Sequence, residues 1–276
     1  MKDKSGNDIV ELQINVGGDH KVIYKYREAQ TGAPEAAPSD EEIIEIVKAA
    51  VKKGIHHITL IGDDPLDREG ITELCSKVKG VEGVETLSLT TNGIALSDNA
   101  EALKAAGLDD VNIKLDTLKY TAYEKIVENG ELDKIIPSIN AAVNAKLSPV
   151  TLFVHVFEGI NDTELMDFLQ LTFQHKYRIV FRELEGGGNG DFKSVKEAAI
   201  REKMPALRTT LQEGETLQPG EIEYFKYPIG VGKIGFVSPA SSKTAGCGIA
   251  VVGADGKLKL NPYAEESEDV KAALGM

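Results

Sequence analysis

Apolar and polar residues follow two alternating periods along the first two thirds of the chain. Residues 10–16 alternate with a period of two, which is typical of a strand, and residues 40–53 repeat apolar positions every three to four residues, which is typical of a helix. Ser39 and Glu42 have the spacing of a capping box at the start of that helix. The strand pattern recurs, each time after a helical stretch, over residues 57–61, 84–89, 110–115, 150–156 and 178–184.

Strands that alternate with helices in this way indicate parallel βαβ units with right-handed connections. Six such units predict an α/β fold, a partial (β/α)6 TIM-type barrel, with a doubly wound sheet as the alternative. After residue 190 the pattern changes to one helix, over residues 195–204, and several short strands. We therefore expect a barrel over residues 1–190 and a C-terminal helix and β extension, residues 191–276, that packs on the barrel.

The charge balance limits the partners that the chain can have. Its 276 residues include 31 basic and 44 acidic side chains, with a formal net charge of −13, so it lacks the basic footprint that nucleic-acid binding requires. The sequence contains no apolar run of transmembrane length, and its first residues lack the apolar core of a secretion signal. We expect a cytoplasmic protein that binds neither nucleic acid nor membranes.

Seven segments resemble, in order, motifs of the radical S-adenosylmethionine (SAM) GTP cyclases of molybdenum-cofactor synthesis, the MoaA family. They include IGDDPLDR at 61–68, TTNG at 90–93, AGLDDVNIKLD at 106–116 and GIND at 159–162. The remaining segments are 3–16, 232–239 and 255–258. The resemblance implies a partial barrel, a 4Fe–4S cluster and SAM as cofactors, GTP as substrate, and a possible homodimer.

The chain departs from this family where the family binds its cofactors. The three cysteines that hold the SAM-cleaving cluster align with His20, Tyr24 and Arg27, and those of the second cluster align with Thr244, Cys247 and, approximately, Asn261. The chain has two cysteines in all, Cys75 and Cys247, and a 4Fe–4S cluster is held by thiolates. Positions that contact GTP in the family are also replaced, by Gln13, Thr151, Ile249 and Val251. We expect neither the cluster nor SAM to bind.

Two functional hypotheses follow. The first is a non-catalytic protein of molybdenum or tungsten-cofactor metabolism that binds a small anionic ligand, a metal oxyanion or a partner protein. Its candidate ligand-binding residues are His20, Tyr24, Lys25, Arg27, Arg68, Asn92 and Lys114. The alternative is a cluster-independent enzyme that uses a divalent metal. Its candidate ligands are Asp63, Asp64, Asp116, His155 and Glu183. Each set also has an interpretation without a function: the first would belong to a solvated loop, and the second would fill a cavity with ion pairs.

Overall fold

The computed structural model describes residues 1–3, 6–18, 21–27, 37–212, 222–239 and 248–276. Its first strands and helices are β1 (Glu11–Asn15), β2 (Ile23–Tyr24), α1 (Asp40–Lys52), β3 (His57–Ile61), α2 (Ile71–Lys79), β4 (Thr86–Thr91), α3 (Leu96–Ala105), β5 (Asp110–Lys114), α4 (Tyr120–Ile126), β6 (Val127–Glu128) and α5 (Leu132–Asn144). The chain continues with β7 (Val150–His155), α6 (Leu165–Gln174), β8 (Arg178–Arg182), α7 (Glu197–Glu202), β9 (Arg208–Thr209), β10 (Tyr224–Lys226), β11 (Lys233–Val237), β12 (Ile249–Val252), β13 (Lys257–Lys259), β14 (Glu268–Asp269) and α8 (Val270–Leu274).

The predicted βαβ units form one curved sheet. Its strand order is β14-β13-β12-β1-β3-β4-β5-β7-β8-β11-β10-β9, and the six strands from β1 to β8 in this order pair in parallel. This arrangement confirms the predicted partial barrel. None of the described helices is long and apolar enough to cross a membrane.

The C-terminal region joins this sheet through hydrogen bonds. β12 pairs in parallel with β1 at one edge, and β11 pairs in parallel with β8 at the other. The sequence predicts an extension that packs on the barrel, whereas these two strands lengthen the barrel wall itself. The apolar residues of β11 and β12 allow this, because Ile234 and Ala250 are fully buried in the common core.

Side chains alternate between the two faces of each barrel strand. In β5, Val111 and Ile113 are fully buried in the apolar core between sheet and helices, whereas Asn112 and Lys114 lie on the opposite face. That inner face of the barrel is lined by polar groups instead of the layers of branched apolar residues usual in closed barrels. Examples are Gln13, Thr59, Ser88, Thr90, Asn112 and Thr151.

Candidate ligand site at the barrel mouth

The carboxyl ends of the parallel strands meet at one edge of the barrel, which we call the mouth. Asp64 lies after β3, Asn92 follows β4, Lys114 ends β5, His155 ends β7 and Arg182 ends β8. Barrel proteins place their functional residues at this edge. The structure therefore brings most of the candidate site residues to one side of the molecule.

Asp64 has a structural role at the mouth. It is 2% exposed. The Thr91 hydroxyl lies 2.9 and 2.8 Å from its two carboxylate oxygens, and the backbone N–H groups of Leu66 and Asn92 donate to it at 3.0 and 2.9 Å. Burial raises the pKa of Asp64, and these donors oppose that shift. We call Asp64, Thr91 and Asn92 the Asp64 cluster; it fixes the ends of β3 and β4 relative to each other.

The loop after β1 packs directly on the Asp64 cluster. A Cβ atom at Gly18 would lie 2.2 Å from the backbone carbonyl oxygen of Asp64, and Gly18 has a φ of +117°. Only glycine accommodates both the backbone conformation and the close approach. The glycine therefore allows this loop to cover the end of β3.

Arg68 and Asn92, two of the candidate ligand-binding residues, are bonded within the fold. Arg68 donates to the carbonyl oxygen of Val16 at 2.7 Å and pairs with Asp40 at 2.8 Å. The side chain of Asn92 accepts from the backbone N–H of Ile94 at 2.9 Å. Arg68 thus connects the start of α1 to the end of β1, and Asn92 closes the turn after β4.

Asp116 and His155 are joined across β5 and β7. The backbone N–H of His155 donates to Asp116 Oδ1 at 2.7 Å, and His155 Nδ1 lies 3.2 Å from the same oxygen and 3.3 Å from the Tyr26 hydroxyl. Asn161 donates to the backbone carbonyls of Asp116 and His155. Asp116 is 4% exposed, and its Oδ2 has no hydrogen-bond partner within the part of the chain that the structure describes.

Residues 21–27, which we call the strap, lie across the mouth. β2 pairs with β6, with Tyr24 opposite Val127. Tyr24 and Tyr26 are buried with their ring centroids 5.5 Å apart, and the Tyr26 ring lies 5.2 Å from His155 and 5.0 Å from Phe157. Burial raises the pKa of both phenols well above the usual range. The strap therefore contributes two neutral aromatic side chains to the mouth.

The three cations of the strap face different surroundings. Lys21 pairs with Asp67 at 2.6 Å. Lys25 Nζ donates to the backbone carbonyl of Glu124 in α4 at 2.8 Å. The Arg27 guanidinium lies 5.5 Å from the Tyr24 ring centroid and 3.8 Å from the carboxylate of Asp63. Arg27 belongs to the mouth, whereas Lys25 holds the strap to α4. The candidate His20 lies outside the described residues.

Two half-buried cations, Lys114 at the end of β5 and Arg182 at the end of β8, lie on the strands that flank Phe153 of β7. Lys114 is the register partner of Phe153, and the guanidinium carbon of Arg182 lies 5.0 Å from the centroid of that ring. Lys114 Nζ donates to the backbone carbonyls of Gly62 and Asp63, both at 3.3 Å. Among the described residues, no carboxylate is within ion-pairing distance of either cation.

The electrostatics of Lys114 reflect this environment. Burial, followed by the positive charge of Arg27, lowers the pKa of Lys114 to about 8, and Arg182 acts in the same direction. The carboxylates of Asp63 and Asp64 oppose the shift without cancelling it. An anion bound beside Lys114 and Arg182 would relieve the repulsion between these cations. The arrangement is therefore suited to holding a small anion.

Sequence reasoning selected Glu183 and missed its neighbour Arg182. The Glu183 carboxylate accepts from Lys196 at 2.6 Å, on the other side of the strand end from Phe153. In β8, Phe181 is fully buried against α6, so that Arg182 faces the inside of the barrel. The period-two alternation along β8 is the signal that would have identified Arg182.

The candidate carboxylates lie apart in the described structure. Asp63 faces Arg27, the oxygens of Asp64 are hydrogen-bonded, and Asp116 contacts His155. The described residues contain no group of three His, Cys, Asp or Glu side chains that could hold a metal ion. The divalent-metal hypothesis stays a prediction that this geometry does not favour.

Comparison with known proteins decides the family. Residues 24–172, more than half of the chain, match the radical SAM superfamily. A GTP 3',8-cyclase of Alkaliphilus oremlandii is 35% identical over 235 residues, which cover 85% of this chain and 73% of the relative. The chain belongs to the GTP 3',8-cyclase (MoaA) family. A second such cyclase, from Peptoclostridium acidaminophilum, is 34% identical over an alignment of 284 residues, which covers 99% of this chain and 86% of the relative.

Solved radical SAM structures share the fold. Streptococcus suis SuiB superposes with a TM-score of 0.66 at 12% identity, and the match covers 98% of this chain and 64% of the SuiB chain. SuiB bound to its precursor peptide SuiA gives a TM-score of 0.69 at 10% identity. At these identities the likeness concerns the fold alone, and it confirms the radical SAM partial barrel that the motifs predict.

The described residues do not fit the iron–sulfur cluster that the GTP 3',8-cyclase family implies. Such clusters are held by thiolates, whereas Tyr24 and Arg27 offer a neutral phenol and a guanidinium at the aligned positions. Cys75 is fully buried in α2, and burial raises the pKa of its thiol to about 12. Cys247 lies outside the described residues and could supply one thiolate at most. The donor set therefore does not match the cluster to which SAM binds in the family.

Proposed function

We propose that this member of the GTP 3',8-cyclase family binds a small anion at the barrel mouth and works without an iron–sulfur cluster or SAM. The observation that carries the proposal is the pair of half-buried cations, Lys114 and Arg182, beside Phe153. Buried charges in proteins are normally paired. Two adjacent cations without a carboxylate partner among the described residues favour an anionic ligand as their counter-charge.

The chemistry of these side chains limits the ligand class. Arg182 can donate two parallel hydrogen bonds to a carboxylate or to a tetrahedral oxyanion, and Lys114 adds a compact positive charge. Arg27, 3.8 Å from Asp63 at the strap, adds a third positive charge at the mouth. Phosphate, molybdate, tungstate and small carboxylates all satisfy these requirements.

The replaced family residues support a ligand other than GTP. A triphosphate requires several cations, and the aligned GTP-contacting positions carry Gln13, Thr151, Ile249 and Val251. With two cysteines in the whole chain, the radical chemistry of the family lacks its cluster ligands. Under this proposal the chain is a binding protein that keeps the barrel of molybdenum-cofactor enzymes and has lost their reaction.

Iron analysis tests the cluster-free part of the proposal. Protein purified without oxygen and supplied with iron and sulfide should be colourless and contain far less than one iron atom per chain. About four iron atoms per chain with a visible absorption band would contradict it.

Native mass spectrometry of freshly purified protein tests the anion-binding part. We expect a mass increment equal to one small anion, which disappears in the Lys114→Met, Arg182→Gln double variant. An increment that persists in this variant would place the anion elsewhere, and none in the parent protein, even after incubation with phosphate or molybdate, would argue against the site.

A further inference from the structure

The surroundings of Lys114 resemble those of a reactive amine more than those of a structural ion-pair partner. Its Nζ has two backbone carbonyls as acceptors, of Gly62 and Asp63 at 3.3 Å, and no carboxylate among the described residues. Other half-buried or exposed lysines that contact carboxylates show the contrast: Lys196 pairs with Glu183 at 2.6 Å and Lys79 with Asp109 at 2.7 Å.

We propose that Lys114 forms an imine with the carbonyl group of a small ligand whose carboxylate or phosphate group is bound by Arg182. This inference rests on the proposed anion site, because Arg182 is the residue that would bring the carbonyl carbon to the amine. It adds a covalent step and a ligand class, carbonyl compounds with an anionic group, to simple anion binding.

The hydrogen bonds of Lys114 orient the amine. A neutral amine has two N–H groups and one lone pair in a tetrahedral arrangement. When the two N–H groups donate to the carbonyls of Gly62 and Asp63, the lone pair is directed away from both carbonyls. The backbone at the end of β3 thus positions the nitrogen for attack on a ligand held at the mouth, as nucleophilic catalysis requires.

The cationic neighbours of Lys114 favour the reactive form. Burial and the charges of Arg27 and Arg182 lower its pKa to about 8, so that about one molecule in ten has a neutral amine at pH 7. A lysine that is desolvated or placed next to another cation is a recurring way to activate this side chain as a nucleophile. Arg182 therefore acts twice, as the anchor for the anionic group and as a neighbouring positive charge.

The proposed step is balanced without a co-reactant. The ammonium group first releases one proton to solvent. The lone pair of Nζ then attacks the carbonyl carbon, the carbonyl π electrons move to oxygen, and a proton shifts from nitrogen to that oxygen to give a carbinolamine. Loss of the oxygen with a second proton as water leaves a carbon–nitrogen double bond. Nothing is oxidised or reduced.

Reductive trapping tests the inference on the full chain. Pyridoxal 5'-phosphate, a phosphate-bearing aldehyde, is added with sodium borohydride, and the modified lysines are located by peptide mass mapping. We expect Lys114 to be labelled at least about tenfold faster than the exposed Lys196, since a charge-assisted hydrogen bond to Arg182 contributes about this factor. Pyridoxal, which lacks the phosphate group, is the control aldehyde, and inorganic phosphate is added as a competitor. Glyoxylate, an aldehyde with a carboxylate group, shows whether the site prefers a carboxylate or a phosphate group.

Matched variants separate the two proposals. Lys114→Arg keeps the positive charge and should remove the fast labelling. Arg182→Gln should slow labelling by the phosphate-bearing aldehyde but not by pyridoxal. Lys196→Arg should leave the labelling of Lys114 by both aldehydes unchanged. If Lys114 is labelled no faster than Lys196 while the anion still binds, the imine inference fails and the anion site stands. If both aldehydes label Lys114 equally fast in the parent protein and in Arg182→Gln, the anion site fails, and with it the imine to an Arg182-bound ligand, although Lys114 is a reactive amine. If a variant does not fold, the anion site is tested in the parent protein instead, where added phosphate should protect Lys114 from labelling.

Discussion

The Asp64 cluster and the Lys114–Arg182 pair lie at the same mouth. They differ in how completely neighbouring protein groups satisfy their hydrogen bonds and charges. Each oxygen of the Asp64 carboxylate accepts hydrogen bonds from neighbouring donors. Lys114 and Arg182 have two carbonyls and one aromatic ring as neighbours. Location at a strand end therefore does not distinguish structural from functional residues. For these two groups, the distinguishing property is whether the protein itself provides partners of opposite charge or hydrogen-bonding groups. The Asp64 carboxylate holds the ends of β3 and β4 together, and the two cations are available to a ligand.

Removal of the Asp64 carboxylate should have the largest effect on stability. Asp64→Ala leaves the Thr91 hydroxyl and the N–H groups of Leu66 and Asn92 without their acceptor in a buried region. We expect the free energy of unfolding to fall by about 3 kcal/mol or more, because each buried unsatisfied donor costs about 1–3 kcal/mol. Chemical denaturation measures this loss. Asp63→Asn is the control, and an equal loss in both variants would contradict the structural role of Asp64.

The pH dependence of anion binding should be intermediate in size. The pKa of Lys114 is lowered to about 8, and a bound anion favours the charged amine and raises that pKa. The protein should therefore take up protons when it binds an anion near pH 8, and affinity should fall by up to about tenfold per pH unit between the pKa of free Lys114 and the higher pKa of the complex, then level off. Calorimetry in buffers of different ionisation enthalpy measures the uptake.

The matched control for this pH effect is Lys114→Arg. Arginine stays charged across this range, so anion affinity in the variant should not change between pH 7.5 and 9.5 through this residue. A pH dependence of the same size in Lys114→Arg would assign the titration to another group.

Loss of the Tyr26 hydroxyl should have a small effect. Its contact with His155 Nδ1 is 3.3 Å long, and the ring keeps its packing in Tyr26→Phe. We expect a loss of about 0.5–1.5 kcal/mol in unfolding free energy and unchanged anion affinity. Thermal denaturation with and without phosphate separates the two quantities. A large loss of anion affinity in Tyr26→Phe would place the Tyr26 hydroxyl in the binding site and contradict this expectation.

Much of the fold could be predicted from the sequence, because periodicity and motif order are local properties. The six βαβ units and the capping box at Ser39 and Glu42 are found as expected, and the cap distances are 3.2 and 3.1 Å. The participation of β11 and β12 in the parallel sheet was not predicted. Their pairing partners, β8 and β1, are decided by contacts between segments that lie far apart in the chain.

The candidate site was less predictable, since charge pairing depends on tertiary contacts. Lys114 was identified, but only the three-dimensional structure shows that none of the described carboxylates forms an ion pair with it. Lys25 looked equivalent to Arg27 in sequence, yet its amine contacts the Glu124 carbonyl. Arg182 could have been found from the alternation along β8, which distinguishes it from Glu183.

Titration calorimetry with phosphate and molybdate tests directly whether the barrel mouth binds an anion at Lys114 and Arg182. We expect saturable binding to the parent protein, at least about tenfold weaker in Lys114→Met and in Arg182→Gln, and unchanged in Lys25→Ala. Melting temperatures of the parent protein, Lys114→Met and Arg182→Gln should be similar, because neither mouth cation has a carboxylate partner among the described residues to lose. Equal binding by all four proteins, or no binding by the parent protein, would contradict an anion site at the barrel mouth.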